Sequence, residues 1–194
     1  MKSRKLFAIL TLVAFMMTLV PALAFGGNIE ASELYNRDAS EVYTDDLSVK
    51  VTTDKKTRYA KVYVEFKDDE NNILANSPID MLWLKSSMTT VKVDVDKKYL
   101  AKSEATEGIT EPFATGVVGF KEGESNQLKA DGNGEVEFKF YSSLAGTAKL
   151  SFWSADPAVD GVDKDSIYFI DEVEIKFTAD DGKVDVVTLD VDGG

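Results

Sequence analysis

The chain has 194 residues, of which 34 are acidic and 22 basic, with no histidine and no cysteine, for a net charge of −12. Without His or Cys, Ser-His-Asp and Cys-His catalysis in their usual forms, His/Cys zinc sites and disulfides are all excluded. The acidic balance disfavours nucleic acid and anionic membranes, because phosphate binding needs Lys/Arg clusters.

Lys2, Arg4 and Lys5 form a positive start, residues 6–20 are apolar, and Pro21-Ala22-Leu23-Ala24 ends in a small-x-small site. This pattern predicts a secretory signal peptide over residues 1–24, cut after Ala24. The apolar run is short for a membrane span of about 20 residues. Taking 24 residues with three positive charges and no acidic ones from 194 residues at −12 leaves 170 residues at −15. That length suits one large or two small domains.

Residues 25–44 are polar and weakly patterned, and read as a flexible arm or linker. Residues 47–51 alternate as a strand. Ala60, Val62, Val64 and Phe66 form the inner face of a stronger one. Residues 67–72 are an acidic turn whose Asp and Asn residues suit tight bends. Residues 79–85 carry apolar side chains on both faces, which predicts a central strand. Residues 91–95 alternate again, and about 96–116 read as an insertion.

The best-patterned stretch is 129–153. Asp131-Gly132-Asn133-Gly134 is a turn and 135–141 a strand; 142–146 is a second turn and 147–153 a second strand. Val136, Phe138 and Phe140, then Ala148, Leu150 and Phe152, are predicted to point inward, and the pair reads as a hairpin. A loop over 154–166 follows. Next comes a long strand over 167–179, with Val173, Ile175 and Phe177 on one face and room to bend or split. A last strand over 184–191 lies in a C-terminal strand and linker, 180–194. Eight or so strands without an amphipathic helix predict an all-β fold: an antiparallel β-sandwich, with a barrel as the alternative.

The run Asp131-Gly132-Asn133-Gly134-Glu135, a strand, then Ser142-Ser143-Leu144-Ala145-Gly146-Thr147-Ala148 resembles a bacterial immunoglobulin-like domain of the invasin/intimin type. Upstream, the strand 60–66 and its connection to Pro78-Ile79 look like that family's early strand pair. Asn72 stands where glycine is usual, and the proline comes several positions later. The resemblance spans about 45–178, with 91–119 as an unmatched enlargement. It implies an immunoglobulin-like β-sandwich over 45–179, of the kind found in adhesin stalks, surface-layer proteins and secreted carbohydrate-active enzymes.

The remaining chemistry is that of carboxylates, and hard oxygen ligands suit Ca²⁺. Asp156, Asp160, Asp163 and Asp165 cluster in one loop and are the candidate Ca²⁺ ligands, against the plainer reading of a solvated acidic loop. Asp131, Asn133 and Glu135 alternate like the start of an EF-hand loop, though the turn needs such residues anyway. Asp45-Asp46 and Asp180-Asp181 are a third candidate, if they meet at one end of the sandwich. Carboxylate pairs for glycoside hydrolysis arise by chance among so many acids, and no sequence signal of an apolar pocket accompanies them. Trp153 falls on an outward face, and with Tyr63 and Tyr141 is a candidate ligand platform or interface.

The expected protein is therefore secreted and non-enzymatic, a structural or adhesive module of the bacterial cell surface. Its partners would be other surface-protein copies or domains, or a cell-wall or extracellular glycan. A carbohydrate-binding module is the alternative. Export in a bacterial host should yield a mature chain beginning at Phe25. N-terminal sequencing checks this, and retention of residues 1–24 would refute the cleavage.

Overall fold

The computed structural model describes residues 29–53, 57–101, 110–112, 118–121 and 127–179. The expected signal peptide, most of the expected insertion, Asp180-Asp181 and the expected strand 184–191 lie outside the described residues. In chain order the first strands are β1 (Glu41–Tyr43), β2 (Ser48–Lys50), β3 (Ala60–Glu65), β4 (Pro78–Ile79), β5 (Leu82–Ser86) and β6 (Val91–Val95). After a 3-10 turn at Lys97–Tyr99 come β7 (Thr110–Pro112), β8 (Val118–Phe120), β9 (Leu128–Lys129), β10 (Glu135–Ser142), β11 (Gly146–Trp153) and β12 (Phe169–Thr178).

They build two packed five-stranded sheets, a β-sandwich architecture. The first has the order β1-β3-β10-β6-β7 and the second β2-β12-β11-β5-β8, with β4 and β9 pairing separately. All pairs are antiparallel except β2 with β12, which run parallel.

Period-2 alternation decides which residues enter the core. Val62 and Val64 of β3, Val93 and Val95 of β6, and Val136, Phe138 and Phe140 of β10 are fully buried from the first sheet. Leu82 and Leu84, Ala148, Leu150 and Phe152, and Ile175 answer them from the second. Phe138 is the hub, with its ring centroid 5.7 Å from Phe120, 6.3 Å from Phe140 and 6.1 Å from Phe152. Phe140 also meets Phe152 edge-on at 6.5 Å. These tilted and T-shaped arrangements suit the ring quadrupole.

The hairpin reading of 129–153 needs correction. The two strands form as expected, but β10 pairs with β3 and β6, and β11 with β12 and β5. The link 142–146 is thus an arch between sheets. Ser142 caps it: its Oγ receives the Leu144 N–H at 3.1 Å and donates to the Leu144 carbonyl at 2.8 Å. Alternation marks an inward face on each strand and is the same whether two strands lie side by side or across a core.

The arm is corrected over residues 31–43. Ala31 bridges Ala155, Tyr35 and Val42 are buried, and β1 is an edge strand of the first sheet. Tyr35 packs edge-on against Phe66 at 4.9 Å, and its hydroxyl donates to the Met81 carbonyl at 3.0 Å. Ser32 Oγ lies 2.6 Å from an Asp80 carboxylate oxygen. These contacts hold the kink before β5, where Met81 takes a left-handed φ of 48° that a non-glycine residue rarely adopts. A few well-placed side chains dock this segment, and no period reveals them. The long strand β12 stays one strand and absorbs one register shift opposite Phe152 and Trp153.

Turn chemistry closes the far end. Asp131 Oδ1 receives the Asn133 N–H at 2.8 Å and the Glu135 N–H at 3.1 Å. Gly134 has φ 76°, and a methyl added there would lie 2.4 Å from Ile73 Cγ2.

Phe138→Ala should destabilise the fold by about 3–5 kcal/mol, because it empties the junction of the two sheets. Urea unfolding checks this, and a loss below about 1 kcal/mol would mean that Phe138 is not the hub.

Candidate functional site

The outer face of the second sheet carries rows of side chains set by strand register. In the upper row Trp153 of β11 stands between Phe169 of β12 and Trp83 of β5, and Trp83 stands beside Gly119 of β8. Glycine is required at 119, since a Cβ there would lie 2.3 Å from the Trp83 ring. Trp153 meets Phe169 edge-on at 5.7 Å, and Lys121 Nζ lies 5.0 Å from the Trp83 centroid. The next row is Glu172, Ser151 and Lys85, and below it stand Glu174, Lys149 and Ser87.

The loop between β11 and β12 overhangs these rows. It folds through successive tight turns, with Gly161 at φ 87°. Val162 is buried, and the Trp153 Nε1 hydrogen bonds to the Asp163 carbonyl at 3.4 Å. Between sheet and loop lies a cavity of about 330 Å³. Trp153, Val162 and Pro157 supply its apolar wall; Lys85, Lys149 and Lys164 bring positive charge, and Glu172 and Asp163 negative.

Glu172 organises this charge. It accepts a hydrogen bond from Ser151 Oγ at 2.6 Å, pairs with Lys164, and lies 3.5 Å from Lys149 Nζ. Burial acts to raise its pKa, but the hydrogen bonds from Lys164 and Ser151 and the nearby ammonium charges outweigh burial and hold it below the usual value.

The first sheet's outer face is arranged differently. Glu137, only 7% exposed, accepts from Lys61 at 2.8 Å and from the Tyr63 hydroxyl at 3.2 Å. Lys139 bonds Asp96 at 2.9 Å, and Tyr43 stacks on Tyr63 with centroids 5.2 Å apart. The Glu137 hydrogen bond, opposed by burial, raises Lys61 above the ordinary lysine range. This is a satisfied network rather than an open site.

Trp153 does face away from the core, but the loop covers it to 4% exposure. Tyr63 and Tyr141 stand on the other sheet, and Tyr141 is 6% exposed. The three do not form one platform. Among the described residues no group of three or more acidic side chains gathers as a metal would require. Asp156 Oδ1 receives the Ala158 N–H at 2.9 Å and Asp163 Oδ1 the Asp165 N–H at 3.0 Å, while Asp160 and Asp165 are exposed. Asp156 and Asp163 thus shape turns. Lys85, Lys149, Lys164 and Glu172 were not among the expected site residues. The outward alternation of Lys149, Ser151 and Trp153 was legible, but the overhanging loop and the facing strands were not.

Comparison with protein-family models and with curated proteins finds no match.

The folded pKa of Glu172 lies below its unfolded one. Its stabilising contribution is therefore complete above the ordinary value of 4.5 and is lost as pH falls through the lowered folded value. Glu172→Gln should cost less than about 1 kcal/mol at neutral pH, because the Lys149 and Lys164 side chains are half exposed. That gap should close on acidification below 4.5. Urea midpoints of both proteins at neutral and acid pH check this, and a gap independent of pH would contradict it.

Proposed function

We propose that this chain is a secreted, non-enzymatic, immunoglobulin-like module of the bacterial cell surface, which spaces or links other parts and carries load along its length. The strand order supports the immunoglobulin-like reading. β1-β3-β10-β6 corresponds to an A-B-E-D sheet and β12-β11-β5 to G-F-C, with β2 as a first strand that has crossed to the other sheet. β7 and β8 are additions outside that plan.

The observation that carries the load-bearing role is where the chain enters and leaves the sandwich. Ala31 bridges Ala155, just beyond the Trp153 end of β11. Thr178 ends β12 beside Lys50, at the Gly146 end. Eight residues of β11 separate the two ends, roughly 25 Å at strand rise. Once the Ala31 bridge and β1 have given way, tension between residues 31 and 179 pulls β2 and β12 past each other. Their parallel bonds are loaded together in shear instead of being peeled one at a time.

The bond from the Val51 N–H to the Thr178 carbonyl, 2.9 Å long, extends this pairing. Val51→Pro removes that donor. Pulling single molecules through handles on the chain termini should give one distinct unfolding force peak for the wild type and a clearly lower one for Val51→Pro. Unfolding without a resolved peak, or equal forces in the two proteins, would count against the load-bearing role.

A further inference from the structure

We propose that the cavity on the outer face of the second sheet binds one acidic sugar residue, a uronic acid. Its carboxylate would be held by Lys85 and its ring set against the Trp153 side. This goes beyond the load-bearing role, which uses the strand pairing of β2 and β12 and not this face.

At about 330 Å³ the cavity falls at the small end of ligand sites. Its apolar wall is Pro157 with the edges of Trp153 and Val162 that the loop leaves open, each 4% exposed, and a sugar's C–H face can meet it. The opposite side is polar.

Charge narrows the class. Three lysines line the cavity against two carboxylates, Glu172 and Asp163, which leaves one surplus positive charge. Lys149 and Lys164 already share Glu172. Lys85 is exposed and has no ion pair among the described residues. One ligand carboxylate matches that surplus. A neutral sugar would leave Lys85 uncompensated. A phosphate would bring more charge than the surplus and face two carboxylates.

Hydrogen-bonding capacity separates a sugar acid from an apolar acid. Ser87 Oγ accepts the Lys149 N–H at 2.9 Å, so its own proton is free to donate. Asp163 uses one carboxylate oxygen for the Asp165 N–H, and the other can accept from a ligand hydroxyl. Donors and acceptors thus alternate around one cationic end, which suits a polyhydroxylated anion. A fatty or aromatic acid would bury these groups unpaired, at a cost.

The test uses the two tryptophans of the chain. Trp83 Nε1 is buried without a hydrogen-bond partner, so Trp83→Phe breaks no hydrogen bond of that ring, trims its packing on Gly119, and leaves Trp153 as the one indole. Sodium glucuronate is titrated into the full chain by calorimetry, and into the Trp83→Phe variant by fluorescence. Saturable binding with a Trp153 signal is expected, with affinity falling at least about fivefold in Lys85→Ala and recovering in Lys85→Arg. Glucose should bind at least about fivefold more weakly than glucuronate. A short uronate oligomer separates two sources: tighter binding assigns the cavity to a residue within a polymer, equal or weaker binding to the free sugar, and either upholds the acidic-sugar site. No saturable binding of glucuronate, glucose binding as well, or an unchanged affinity in Lys85→Ala would each overturn it.

Discussion

Phe138 reaches from the first sheet to Phe152 and Phe120 in the second, and the rest of the molecule is arranged around that contact. The chain has no cysteine, so the core must hold the two sheets without disulfides. Once Phe152 points inward, the period of two sends Ser151 and Trp153 outward, and in β10 it sends Glu137 and Lys139 to the opposite surface. The hydrophobic contact thereby fixes which polar groups meet on each outer face. A one-residue slip in β11 would bring Lys149 and Ser151 into the core and expose Leu150, so the register is strongly specified.

The inward-facing residues were legible because alternate side chains of each strand point into the core. Val62, Val64, Val136, Phe138, Leu150 and Ile175 all lie where alternation puts them. Which strand pairs with which was not legible. The arch 142–146 reads like a hairpin turn, since Ser142 and Gly146 satisfy either geometry. Burial of Tyr35 was equally silent: its partners Phe66 and Met81 lie far along the chain, and one aromatic in a polar stretch has no period. The site suffered most. Trp153, Lys149 and Ser151 could be placed on one face, but Lys85 and Glu172 join them only through pairing with β5 and β12. The spacing of the aspartates in the overhanging loop is that of a candidate metal site, whereas Asp156 and Asp163 each spend a carboxylate oxygen on a local backbone N–H group.

The two outer faces divide the polar chemistry. On the first sheet Glu137 is enclosed by Lys61, Tyr63 and Lys139, so desolvation is offset by a full set of partners. Such a face stiffens a sheet and offers little to a ligand. On the second sheet the cations outnumber the carboxylates around a concave, partly apolar surface. Concavity matters here, because a low-dielectric wall strengthens each charge interaction made beside it.

A cationic cavity on a chain of net charge −12 also sets the range at which an anion is drawn in. The acidic surface repels anions at a distance, but at physiological ionic strength that repulsion fades over about 8 Å. Inside the cavity Lys85 and its neighbours act at contact distance, where screening is weak. At the proposed site an anion is therefore favoured only once it is seated, with its hydroxyls and ring face matched to Ser87, Asp163 and Trp153. Long-range steering would collect any polyanion; short-range attraction within overall repulsion selects by fit.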